Sequence, residues 1–192
     1  MAHHAARSVP PFETKQNEIH RGCHMPSHLD RRYLVFRLND QAYVLPTPAV
    51  EEIVSMAELT RPPCAPSLLA GFLNFGGDPV AVIDLRHLFE LPPCEPDLYT
   101  PLIVLKCEAP RIALQVDAVS QIIGESDGKM MPLGDRCCLN DTATATLEVE
   151  GKKALLLSPE RLLIDAERQR LTQLQQLERQ RLATLQETVS CS

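Results

Sequence analysis

From Tyr33 to Leu157 the chain alternates short apolar runs with turn residues, and this spacing confines it to a mainly β fold. Tyr33–Leu38 and Ala42–Leu45 flank Asn39-Asp40, which reads as a hairpin. Gly71–Phe75 and Pro79–Ile83 flank Gly76-Gly77-Asp78, and Leu102–Leu105 and Ile112–Val116 flank a turn around Pro110. Thr142–Val149 alternates at period two, and Glu150-Gly151 turns it into Lys152–Leu157. Thr47-Pro48 has the form of a helix N-cap followed by a first-turn proline, so a brief helix is expected to lead into Ile53-Val54. Pro62–Pro66, with three prolines in five residues, is expected to be an extended loop.

Laid side by side, the hairpins repeat. Leu34-Val35-Phe36 returns about 70 residues on as Ile103-Val104-Leu105, and Ala49–Val54 returns as Ala118–Ile123. Val80–Ile83 and Ala154–Leu157 each run into a short helical signal. The repeat implies two similar β units, each too small for a sandwich; small barrels dispose of their strand edges better. The seam between them is a natural groove.

With no Trp and 4% aromatic residues among 44% apolar ones, the core must be aliphatic. A net charge of −6 with no basic stripe argues against nucleic acid as a partner. No apolar stretch approaches the roughly 20 residues of a membrane span, so no direct membrane insertion is expected. Residues 1–30 are polar, lack an apolar signal segment and read as a disordered leader; Met25 is a second candidate start. The 7 cysteines are odd in number and scattered, which fits free thiols and a cytoplasmic location. By the same logic the sequon Asn140-Asp141-Thr142 is a chance match.

Nothing in the chain assembles a catalytic set, and no enzyme activity, cofactor or metal is expected. Gly124-Glu125-Ser126-Asp127-Gly128 fits the G-x-S-x-G nucleophile pattern, but Lys129-Met130-Met131-Pro132 starts no helix after it, and no His follows His87. A surface turn between strands is the better reading. His20, Cys23, His24 and His28 could ligate zinc, but they lie in a broken leader without flanking strands. Cys137-Cys138 has only Arg136 as an electropositive neighbour and reads as inert thiols. Glu51-Glu52 beside Val50 and Ile53 is either a solvated face or a charged rim beside an apolar groove, the kind of feature that sets docking specificity.

These residues together resemble the CheW-like domain of bacterial chemosensory systems, across Tyr33 to Leu163. The similar segments are Leu34–Leu38 with Tyr43, Val50-Glu51-Glu52-Ile53-Val54, Pro63–Pro66 with Gly71–Asn74, Val82-Ile83-Asp84-Leu85-Arg86, Ile112–Val119, and Leu155–Leu163. The resemblance implies two intertwined five-stranded SH3-like barrels over residues 31–165. It also implies a non-enzymatic adaptor coupling a chemoreceptor cytoplasmic tip to the regulatory domain of a CheA-type histidine kinase. Carried over, the receptor groove would involve Val50, Glu52, Gly71, Asn74, Gly76, Pro79 and Leu102. Where the family usually has Arg this chain has Gly76, which would take a positive neighbour from Glu52, and Pro79 stands where an aliphatic strand residue is usual.

The resemblance does not reach the tail, residues 166–192. Ser158-Pro159 supplies a helix start and no Gly or Pro comes after it, so a helix from Pro159 to about Val189 is expected, its far half projecting. Ile164, Leu171, Leu174, Leu182, Leu185 and Val189 fall on one narrow stripe, interrupted by Glu178. Leu171, Leu174, Leu182, Leu185 and Val189 are expected to form a weak, reversible contact with a second copy or another helix. The stripe also allows an alternative role: an interaction protein that keeps the fold and binds a different partner through this helix.

Overall fold

A computed structural model describes residues 31–63, 65–107, 109–133, 142–149 and 151–190. The leader with His20, Cys23, His24 and His28, and the Cys137-Cys138 pair, lie outside the described residues. In chain order the strands are β1 (Arg32–Leu38), β2 (Gln41–Pro46), β3 (Val50–Ser55), β4 (Leu69–Phe75) and β5 (Asp78–Asp84). A one-turn helix α1 (Leu85–Leu88) precedes β6 (Pro101–Leu105), β7 (Ile112–Gln115), β8 (Ala118–Gly124) and β9 (Lys129–Pro132). β10 (Ala143–Val149), β11 (Lys152–Leu157) and the long helix α2 (Asp165–Ser190) complete the order.

One sheet runs β8-β1-β2-β11-β10-β9 and the other β3-β6-β7-β5-β4. The two orders correspond strand for strand: each has one parallel pair, β2 with β11 and β7 with β5, between antiparallel ones. β3 and β8 are exchanged. β3 leaves the first half of the chain to pair with β6, and β8 returns from the second half to pair with β1. Even their irregularities match, since the register skips Glu51 in β3 and Ser120 in β8. These are the two intertwined small barrels expected, with one difference. β9 gives one sheet a sixth strand, and its counterpart in the other sheet is a single bridge, Thr60 to Phe72.

The central strands β5, β6 and β7 are apolar on both faces because both faces are covered. In β6, Leu102 and Val104 point into one barrel, while Ile103 and Leu105 point into the layer shared by both. β5 divides likewise, Val80 and Val82 inward, Ala81 and Ile83 shared. In the other barrel Tyr33, Val44, Ile123, Leu147 and Ala154 form the interior. Three stacked layers of aliphatic side chains thus hold the domain, with Phe36, Tyr43 and Phe89 stacking where bulk is needed.

Two local expectations need correction. Thr47 does not cap a helix: it is the first residue of a 3-10 turn at Thr47–Ala49, which Pro46 precedes, and its hydroxyl is buried without a partner. The tail helix does not begin at Pro159. Pro159–Arg161 forms a 3-10 turn, Leu162 and Leu163 are buried, and α2 starts at Asp165. The Ile164 N–H donates to the Glu167 carboxylate (3.0 Å), half of a capping box. The Arg168 guanidinium donates to the carbonyls of Leu163, Pro159 and Glu160, which pins the preceding turn. With 26 residues, α2 is about 39 Å long at ~1.5 Å per residue.

Candidate functional site: a charged rim on one barrel

Arg111, at the mouth of β7, organises the most elaborate polar surface among the described residues. Its guanidinium meets the Glu51 carboxylate of β3 at 2.8 Å and Asp78 at the start of β5 at 3.6 Å. It also lies over the Phe75 ring, 5.5 Å from the centroid. Arg179 of α2 reaches Asp78 from the other side, at 3.0 Å. One cation therefore ties the bulged edge strand β3 to the β4–β5 turn, and a second ties that turn to the helix.

The turn is tight because Gly76 and Gly77 have φ of +63° and +94°, conformations that residues with a Cβ resist. The Gly77 N–H donates to the Asn74 side-chain oxygen at 2.9 Å, which fixes the tip. Glu52 and Asn74 are solvent-exposed, and Val50 is half-buried against the shared core. The positive neighbour that Gly76 fails to supply to the acid pair is thus provided by Arg111, on Glu51 and not on Glu52.

The other expected groove residues do not reach the surface. Leu102 is 0% exposed, inside one barrel, and lines no groove. Gly71 is buried, and a Cβ there would come within 2.8 Å of Leu59. Pro79 is buried beneath α2: the Gln175 side-chain amide donates to its carbonyl (2.6 Å) and to that of Arg111 (3.0 Å), and accepts from the Arg111 N–H (3.2 Å). The proline tolerated at this strand position has no N–H to satisfy, and its carbonyl is capped from the helix.

The helix stripe is likewise divided. Leu171 is fully buried in the shared core and Leu174 packs against it, so neither is free to meet another helix. Gln175 and Glu178, on the same face, are buried too. Leu182 is half-buried and Leu185 is 54% exposed, beyond the end of the packed segment. Val189 lies among residues whose side chains are not described. Sequence reasoning missed Gln175, Arg111 and Arg179. The signal for Gln175 was present: it lies within about 40° of Leu171 around the helix, on the apolar stripe.

Gly124–Gly128 is the surface turn expected: Glu125–Asp127 is a 3-10 turn, and Asp127 accepts from the Gly124 N–H at 2.7 Å. No grouping of three or more metal-binding side chains occurs among the described residues. No described helix is long and apolar enough to cross a membrane.

The chain is thus a double-barrel domain with a charged rim at the mouth of one barrel. A CheW-like domain model matches residues 32–167, and the chain belongs to the CheW-like domain family. Its members are non-enzymatic scaffold and adaptor proteins. The chain is 28% identical over 141 residues to the chemotaxis protein CheW of Rhizobium meliloti, covering 72% of this chain and 91% of that one. It is 27% identical over 138 residues to CheW of Klebsiella aerogenes, covering 71% and 83%. Among solved structures it is similar to the scaffolding protein TtCheW of Thermoanaerobacter tengcongensis, with a TM-score of 0.65 at 21% identity over 73% of this chain and 97% of that one.

Proposed function

We propose that this chain is a cytoplasmic coupling adaptor of a chemosensory pathway, joining a chemoreceptor cytoplasmic tip to the regulatory domain of a CheA-type histidine kinase. The observation that carries the reading is the family match, which spans the whole double-barrel body, taken with the chemotaxis names of its relatives. The partner surface we assign is the rim: Glu52 and the half-buried Val50 on β3, with Asn74 and Gly76 at the β4–β5 tip. Arg111 brings these two elements to one edge. Gly71, Pro79 and Leu102 act from beneath, by shaping the strands that carry it. Rim charges of this kind govern partner choice and encounter rate more than stability.

Capture of a kinase regulatory domain and of a receptor tip fragment on immobilised protein tests this. Glu52→Arg should weaken capture while leaving the melting temperature nearly unchanged. Capture equal to wild type by this variant would remove the rim from the proposal, and failure to bind either fragment would remove the pathway role.

A second reading, contact through the helix, is favoured by the exposure of Leu177 (62%) and Leu185 (54%) on the far half of α2. Leu182 and Leu185 remain the residues for a weak self-association or helix partner there. Leu182→Glu with Leu185→Glu should abolish that contact without unfolding the domain; an unaltered sedimentation profile would sink the idea.

A further inference from the structure

Alternate residues of a strand point the same way. Arg111, just before β7, and Gln115, its last residue, therefore flank the inward-facing Ala113 at opposite mouths of one barrel. At the Arg111 mouth the polar groups are paired, with Glu51, Asp78 and Gln175. The other mouth differs. Gln115 is 7% exposed, and no described residue hydrogen-bonds its side-chain amide. A buried amide left without a protein partner is costly unless something else meets it. This one lines a crevice of about 360 Å3, within the range of small-molecule sites.

Four charged side chains line the same crevice, and two of them satisfy each other. Arg86 donates through Nε (2.9 Å) and Nη2 to the two Asp117 carboxylate oxygens, and through Nη1 to the Pro92 carbonyl (2.8 Å). Asp117 accepts further from the Asn39 N–H at 2.6 Å. That pair is neutral as a unit. Glu95 and Asp97 are not balanced, since no described cation meets either carboxylate. One Asp97 oxygen accepts from the Tyr99 N–H (2.8 Å) and the Thr100 hydroxyl (3.1 Å), which fixes the loop but leaves the charge in place. The Tyr99 ring, 86% exposed, borders the crevice as well. Two uncompensated carboxylates beside an open aromatic face are surroundings that favour a cation. The Gln115 end has a different preference. Gln115 pairs in register with Asp84, two residues before Arg86, so the guanidinium lies near the amide and disfavours a second cation there. A neutral group that both donates and accepts suits the amide, which offers an N–H and an oxygen.

We propose that this crevice binds a small aliphatic ammonium compound with a neutral hydrogen-bonding end, of the amino-alcohol class. The ammonium sits at Glu95 and Asp97 against the Tyr99 ring, and the hydroxyl pairs with the Gln115 amide. Pro92, Pro93, Pro96 and Pro101 restrict the loop that carries both acids, so little freedom is lost on binding. The site is separate from the Arg111 rim and does not depend on the coupling role.

Titration of the isotopically labelled full chain with aminobutanol, followed by amide NMR, tests this. The Gln115 side-chain amide and the Tyr99 backbone amide should shift together and saturate. Butanediol, which lacks the charge, should leave both in place. Butylamine, which lacks the hydroxyl, should bind about tenfold more weakly than aminobutanol. Gln115→Leu should erase that advantage, so that the two amines bind alike. Glu95→Gln, at an exposed side chain that supports no part of the fold, should weaken both amines about threefold. This variant and the butylamine comparison keep the test decisive should Gln115→Leu unfold. The proposal is overturned if aminobutanol gives no saturable shift, if butanediol binds as tightly, or if the folded variants bind aminobutanol as wild type does.

Discussion

The two barrels share a strand order but treat the mouth of their central parallel pair differently. In one, β5 enters at Asp78-Pro79 beside β7; in the other, β11 enters at Lys152-Lys153 beside β2, at the corresponding register. Both mouths have a strand carbonyl that the parallel ladder leaves over, and both recruit a glutamine amide to it. At β11 the donor is Gln41, on the adjacent strand, reaching the Lys153 carbonyl at 3.2 Å in the open. At β5 it is Gln175, brought from α2 and buried against the Pro79 carbonyl at 2.6 Å. The same backbone need has thus been met once by a neighbour and once by a remote helix. Only the second solution brings a new element, with Arg179, to the charged rim.

The comparison can be broken most forcefully at Leu171. Leu171→Ala should cost about 2–5 kcal/mol, since it leaves a cavity in the shared layer, whereas Leu185→Ala should cost less than about 0.5 kcal/mol. Chemical denaturation of both variants checks this, and equal midpoints would mean that α2 does not belong to the packed body. Truncation after Asp165, which removes Leu171 and Gln175 together, should therefore destabilise the domain instead of trimming a spare tail. Next in size is Gln175→Ala, expected to cost about 1–3 kcal/mol by leaving the Pro79 carbonyl and the Arg111 amide without partners. Gln41→Ala, at the exposed mouth, should cost far less, and amide exchange at Arg111 should quicken only in the first variant. Gly76→Arg introduces the residue that the resemblance leads one to expect there but places a Cβ at φ +63°, at a cost of about 1–2 kcal/mol. Any gain in receptor-tip capture would then come with a lower melting temperature. Smallest is Ser126→Ala, which should change neither melting nor partner capture, because its hydroxyl serves only the Glu125–Asp127 turn.

The hairpins, their repeat and the aliphatic core were legible because turn residues and apolar runs act locally, and the Gly76-Gly77 turn needs nothing beyond its own two residues. The exchange of β3 and β8 was visible only as a repeat, since local patterning carries no information about which sheet a strand joins. β9 escaped notice because Lys129-Met130-Met131-Pro132 is short, mostly exposed and weakly β-forming. The burial of Leu102 stems from the same fact that made its strand easy to find: a run apolar on both faces has no solvent side. At the rim, the acid pair could be read from sequence, but its cation could not, because Arg111 lies 60 residues away and meets Glu51 only across the barrel. Glu178 and Gln175 looked like faults in a helix–helix seam. They are instead the polar part of a helix–sheet contact.

The exchanged strands make the two halves of this chain mutually incomplete. A fragment ending in the proline-rich loop before β6 would carry β3 with no strand to lie against, and would lack the strand that covers the outer edge of β1. The remaining fragment would have the converse deficit, with β8 unpartnered and β6 bare on one side. Neither half is an independent folding unit, despite the barrel that each superficially encodes. Two such fragments, cleaved apart and mixed, should regain structure only in each other's presence, and the intact chain completes one barrel once β7 has been made and the other only after β11.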